Sequence, residues 1–164
     1  TTELTKHVID VSRPNVSFEQ MTIDVYNSRV YLAGKHSWEP ITLNLREDVN
    51  NNVQKLVGEQ LQKQFDFYEQ SSAASGQDYK FVTRIEILDG GNGANTPNVL
   101  ETFELYGCYV ESANYNSLSY SNSTDPVSVT LNIRYDNALQ SPNGTGIGTA
   151  VGRTVNTSVT GGGV

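Results

Sequence analysis

The sequence predicts a mainly β chain of antiparallel strands with one α-helix laid against a sheet. Three runs carry that reading. In Val127–Tyr135 the residues Val127, Val129, Leu131, Ile133 and Tyr135 fall on one face and Ser128, Thr130, Asn132 and Arg134 on the other. A strict period of two in β-branched and aromatic residues is the signature of a half-buried strand. Thr102–Val110 alternates in the same way, and a polar stretch of Asn, Ser and Tyr separates the two runs. In the third run the period changes. Val49, Val53, Leu56, Val57, Leu61, Phe65 and Tyr68 recur at spacings of three and four, one apolar stripe of a helix over residues 48–69.

Taken in order, residues 5–11 predict a short strand, and Arg13-Pro14-Asn15 a turn. Phe18, Met21, Ile23 and Val25 predict a strand with a bulge near Glu19-Gln20. Asn27-Ser28 turns the chain into the extended run Arg29–Ala33, and Gly34–Ser37 reads as a loop. Trp38-Glu39-Pro40 leads into a strand of Ile41, Leu43 and Leu45, with Pro40 at its start because it cannot donate to a ladder. Asp48 is the expected N-cap of the helix, where a carboxylate meets the positive end of the dipole. The helix's Asn, Gln, Lys55, Glu59 and Lys63 face is expected to be wet, and residues 71–76 to end it.

A strand over Tyr79–Leu88 follows, with Phe81, Thr83, Ile85 and Ile87 on one face, and then a Gly-rich loop over residues 89–95. In the strand over Asn98–Val110, Phe103, Leu105 and Tyr109 are expected opposite Tyr106, Cys108 and Val110. Gly107 inside it signals a bulge or a close backbone approach. These residues form one β domain over 1–140. Residues 141–164 are a Gly/Thr-rich extended tail, with Ile147, Val151, Val155 and Val159 on one strand face. Large side chains are too few there to order it alone, so strand addition to a neighbouring subunit is the expectation. The opening on Thr1 rather than Met is expected of a processed chain or part of a longer one.

Composition narrows function. The 164 residues carry a net charge of −7 and a pI of about 4.7. Residues 81–136 alone hold seven carboxylates against Arg84 and Arg134. An acidic surface repels nucleic acid. Cys108 is the single cysteine, so no intrachain disulfide forms, and inside an apolar strand it is expected as a small buried hydrophobe. No apolar run reaches the ~20 residues of a membrane helix.

Chemistry-bearing constellations are missing. His7 and His36 are the only histidines and have no metal-ligand spacing. Glu101 and Glu104 lie three apart on a strand and point to opposite faces, so they form no dyad. The Gly144–Gly148 run lacks both the following helix and the Lys-Ser/Thr of a phosphate loop. The sequence therefore nominates no catalytic, cofactor-binding or metal-ligating residue, and the chain does not read as an enzyme. Tyr106, Tyr109, Tyr115 and Tyr120 are either packing residues or a stacking platform for sugars or bases.

Several segments resemble one family in the right order. Arg29–Gly34 followed by Trp38-Glu39-Pro40-Ile41 resembles an extended segment ending in Ala-Gly and then a Trp-led strand. Asp48 and the Val53–Phe65 run resemble that family's main helix, and Tyr79-Lys80 through Leu88-Asp89-Gly90 the strand after it. Leu105-Tyr106-Gly107-Cys108 resembles its Gly-Cys strand, and Val127–Tyr135 with Asp136 its closing strand. Over residues 27–140 the chain resembles the tail-tube proteins of contractile-tailed bacteriophages and the inner-tube proteins of contractile injection systems. It departs from them in Val110, where the family often has Pro, in its Gly/Thr tail, and in having fewer strands ahead of Arg29.

The resemblance implies an antiparallel β-sandwich or partial barrel with one flanking helix. It implies a structural subunit that self-associates into rings of six, stacked into a tube that conducts a genome. Tail sheath and baseplate proteins are the implied partners, with DNA passing without specific binding, no membrane and no cofactor. The implied location is the virion tail, assembled in the host cytoplasm. Six copies would carry roughly −42, a charge that would keep DNA off the wall. Two alternatives stay open: a baseplate hub or tube terminator of the same fold, and a β-sandwich carbohydrate-binding or adhesin module using the tyrosines.

Overall fold

The computed structural model describes residues 3–91, 93, 97–121, 124–141 and 147. The expected tail over 141–164 therefore lies almost wholly outside the described residues, as does most of the 89–95 loop's far end.

A short 3-10 turn, Glu3–Lys6, precedes β1 (Val8–Val11). Then come β2 (Val16–Val25) and β3 (Ser28–Trp38), which form a two-stranded sheet of their own. β4 (Ile41–Arg46) and helix α1 (Asn52–Gln64) follow. β5 (Phe65–Asp66) and β6 (Ser71–Ser72) make a small ladder beyond the helix. β7 (Phe81–Leu88), β8 (Val99–Asn114), β9 (Ser128–Arg134) and β10 (Asn137–Ser141) complete the chain.

The main sheet is antiparallel in the order β1-β4-β9-β8-β10, with β7 on the other side of β8. β8 is its spine. Its C-terminal half pairs with β9, from Tyr109↔Arg134 to Asn114↔Thr130. Its N-terminal half is sandwiched between β7 and β10. β9 and β10 run in line along one side of β8, interrupted at Tyr135-Asp136. The sheet is curled into a mainly β half-barrel with one helix, as the sequence predicts.

Gly107 adopts φ +67, a conformation that costs a residue with a Cβ. A Cβ built there would lie 2.2 Å from Asp136 Oδ2. The irregularity also shifts side-chain parity. Leu105, Cys108 and Val110 are all buried in one core, although the strict alternation read from sequence placed Cys108 and Val110 opposite Leu105. One inserted step reverses the facing of everything beyond it.

The core lies between this curled sheet and α1. Ile41, Leu45, Val129, Leu131, Ile133 and Tyr135 supply the sheet side, and Val53 and Val57 the helix side. Each large chain buried there contributes about 1.5–3 kcal/mol. The Val127–Tyr135 alternation holds from Val129 onward, while Val127 is exposed. Cys108 is fully buried and its thiol donates to Leu105 O at 3.3 Å.

The helix is shorter than the periodicity predicts, Asn52–Gln64 rather than 48–69. Asp48 is not its N-cap. Asn51 takes that place in a left-handed conformation (φ 56), and Asp48 accepts from the Asn52 side chain instead. Val49 is left fully exposed. At the other end Asp66 accepts from the backbone N–H groups of Tyr68 and Glu69 and from Gln62 Nε2. Such local bonds compete with the helical ladder, and they hold the Asp66 carboxyl below its ordinary range. Phe65, Phe67 and Tyr68 consequently turn outward.

Nor is the helix's polar face uniformly wet. Gln64 Nε2 donates to Val110 O and Gln64 Oε1 accepts from Val110 N, both at 2.9 Å. The side-chain amide stands in for a strand partner beside β8 where β7 has ended. Gln60 Nε2 donates to Tyr79 O at 2.7 Å. Among the described residues no helix is long and apolar enough to cross a membrane.

Candidate assembly surface

The sequence nominates no catalytic residue. Among the described residues no group of three or more His, Cys, Asp or Glu could hold a metal. What the fold presents instead is an arm.

β2 and β3 pair from Val16↔Trp38 to Val25↔Ser28, and every residue of β2 is exposed. At ~3.3 Å per residue the arm is roughly 33 Å long. Gly34–Ser37, expected as a loop, is part of β3. The expected bulge is present between Phe18 and Gln20, with the extra residue on β3. Gly34 sits in it, where a Cβ would come 2.9 Å from Glu19 O.

Paired residues share a face of a hairpin, so the register sorts the arm. Beyond the bulge one face holds Met21, Ile23, Val25, Val30 and Leu32, each about half exposed. The opposite face holds Gln20, Thr22, Asp24, Arg29, Tyr31 and Ala33. It is internally satisfied: Arg29 Nε meets Asp24 at 3.2 Å and Gln20 Nε2 donates to Thr22 Oγ1. Along β2, Val16 and Phe18 lie on this second face. So does Trp38, opposite Val16, and Trp38 is buried with its ring 5.8 Å from Tyr135. The arm's root thus turns one face into its own body, and its outer part bares the other face. Five apolar chains in one stripe, with no partner among the described residues, make a continuous patch rather than scattered exposure.

A second group of contacts gathers around Asp136 and the neighbouring part of β8. Lys80 Nζ meets Asp136 Oδ2 at 2.7 Å, and Asp136 N donates to Tyr106 O. The Asp136 carboxylate holds the Lys80 ammonium above its ordinary pKa. Tyr106 donates to Glu104, which with burial raises the Tyr106 pKa, and Arg84 bridges Glu86 and Glu104. Burial pushes the Tyr135 hydroxyl up to about 12 and also raises the Cys108 thiol.

The four tyrosines do not converge. Tyr106 and Tyr109 are half-buried on β8, and Tyr109 packs edge-on to Tyr79 at 6.4 Å. Tyr115 and Tyr120 lie on the β8–β9 loop beside a depression of about 490 Å³, with Tyr120 fully exposed. Of the candidate site, sequence reasoning found the arm's strands and bulge but not its solvent exposure. No sequence signal marks that exposure, because Met21, Ile23, Val25, Val30 and Leu32 alternate as the residues of a core strand do.

A scan of protein-family models and a search of curated proteins return no match to this chain. Solved structures do match. A chain of the PVC sheath-tube complex of an extracellular contractile injection system, in the extended state, aligns with TM-score 0.60 and 16% identity, covering 82% of this chain and 80% of that one. A chain of the PVC sheath/tube terminator aligns at 0.60 and 14% identity over 82% and 85%. A chain of the anti-feeding prophage tube terminating cap aligns at 0.62 and 12% identity over 82% and 79%. The chain has the fold found in the sheath-tube, terminator, baseplate and cap assemblies of contractile injection systems.

Proposed function

We propose that this chain is a structural subunit of a contractile-system tail tube, self-associating into stacked rings, six copies to a ring. The observation that carries the reading is the arm. Its bare apolar stripe, Met21, Ile23, Val25, Val30 and Leu32, faces away from the side its root buries, and no described residue of the chain covers it. A second copy is the economical occupant, since a repeated arm-to-body contact between identical chains closes into rings. The shared fold supports the same reading. Sheath and baseplate proteins are then the outer partners, the phage tail the location after assembly in the host cytoplasm, and DNA the cargo that passes without specific binding. The protein performs no catalysis in this role.

Electron microscopy of the purified protein, with sedimentation across a concentration series, tests this. Rings or tubes are expected. A monomer at every concentration overturns the reading. Copy number per particle separates a tube subunit from a terminator or baseplate hub, because a tube subunit is far more abundant. The depression by Tyr115 and Tyr120 favours a second reading, glycan binding. Glycan-array binding lost on Tyr115→Ala and Tyr120→Ala would support it over the first.

A further inference from the structure

An arm that builds rings needs a receiving surface different from itself. Two copies that pair the same stripe make a closed dimer, whereas a larger ring forms only when one patch of each chain meets a different patch of the next. That second patch has to be apolar, exposed and fixed in shape. The segment after the helix, residues 65–68, has all three properties. Phe67 is 60% exposed and Tyr68 94%, and the Phe65 ring, 37% exposed as a residue, stands edge-on to Phe67 at 5.3 Å.

This exposure is imposed locally. A helix continued to residue 69 would carry Phe65 and Tyr68 on the stripe that Val53 and Val57 bury. Instead, the Asp66 carboxylate accepts from the N–H groups of Tyr68 and Glu69 at 3.0 and 3.2 Å and from Gln62 Nε2 at 2.7 Å. The Phe65↔Ser72 and Asp66↔Ser71 pairs close the turn. The backbone under the rings is therefore held before any partner arrives, which lowers the ordering cost of docking. Asp66 is the only charged residue of 65–68, and those three bonds occupy its carboxylate.

The two surfaces match in chemistry. The stripe is aliphatic and uncharged, with the chain's single methionine, Met21, on it, and a thioether packs favourably against aromatic rings. Asp24 and Arg29 pair with each other on the arm's opposite face, so docking strands no charge. Within one molecule neither patch covers the other, since both are exposed. Other exposed apolar residues of the body are interrupted. Val82 and Leu88 share the exposed face of β7 with Arg84 and Glu86, and Leu118 and Tyr120 alternate with serines on the β8–β9 loop.

Given the ring-forming role, on which this inference rests, we propose that the arm stripe of one copy docks on the Phe65, Phe67 and Tyr68 platform of the next. The contact is head-to-tail, so each docked pair keeps one free arm and one free platform with which the assembly extends.

Sedimentation velocity on the full chain tests this. Ile23→Asp breaks the arm, and Phe67→Asp and Tyr68→Asp, made separately, break the platform; Tyr68 is too exposed for its replacement to unfold the chain. Each variant alone is expected to be monomeric at a concentration at which the wild-type chain associates. Mixed one to one, the Ile23→Asp and Phe67→Asp chains should form a dimer and nothing larger, because such a pair holds one working arm and one working platform. Platform variants that associate like the wild-type chain overturn the docking and leave the ring reading standing. A Phe67→Asp chain that dimerises on its own overturns it in favour of stripe-on-stripe pairing, and a mixture that stays monomeric rules out head-to-tail contact. Association lost in Leu118→Asp but kept in Tyr68→Asp overturns it in favour of the β8–β9 loop as the receiving surface. A wild-type chain that is monomeric at every concentration overturns the ring reading itself, and the docking with it.

Discussion

Gly107 stands where β8 passes the break between β9 and β10. Its φ of +67 and the 2.2 Å approach of Asp136 to a built Cβ act together. Gly107→Ala should therefore destabilise the protein by about 2–4 kcal/mol, from backbone strain plus overpacking. Denaturant unfolding measures it, and Asp136→Ala in the same chain should recover part of the loss. Tyr135 sets a pH dependence. Its hydroxyl, held up to about 12 by burial, keeps its proton in the folded state where an unfolded chain loses it near 10. Stability should thus fall as pH rises from about 10 to 12, by about 2–3 kcal/mol in all. Tyr135→Phe should flatten that slope in unfolding curves taken across the window. The sequence marks Gly107 as a bulge or a close approach, and Asp136 is what approaches it. The resulting change of side-chain parity is invisible to a period-two count, and Tyr135 reads there only as one more core-face residue.

At the scale of elements, α1 and the arm show two ways in which pattern and tertiary context part. The helix stripe is real where Val53 and Val57 meet the sheet. It overreaches where Asn51 and Asp66 impose local turns. The periodicity puts Gln64 on the wet face, yet its amide occupies both polar groups of Val110. Gln64→Leu should cost about 2 kcal/mol, because Val110 N–H and C=O lose their partners; a thermal melt gives the number. The arm was legible as strands, bulge and turn. Its exposure was not, since Ile23 and Val30 alternate just as a core strand would. Ile23→Asp should abolish association while leaving the melting temperature of the unassociated chain within a degree or two, because the side chain touches no core residue. Sedimentation and melting read the two effects separately.

For the whole molecule, the curled sheet closes its own core and leaves the arm outside it. Acidic charge is spread over the β-rich part, with seven carboxylates against two arginines in residues 81–136. Assembled protein should show no salt-dependent binding to duplex DNA in fluorescence anisotropy. A titration whose affinity falls steeply with salt would contradict a non-adhesive wall.

The sequence by itself determined the β class, the single helix, the core face of Val129–Tyr135 and the bulge in the arm. These follow from local periodicity and turn chemistry, which each segment carries within itself. Only the tertiary structure decided which apolar faces are buried. Val129 and Ile23 have the same local pattern, but Val129 shares the core cluster with Val53 and Val57 of α1, and no described residue buries Ile23. Burial depends on what the rest of the chain brings to a face, and no window of neighbouring residues holds that information.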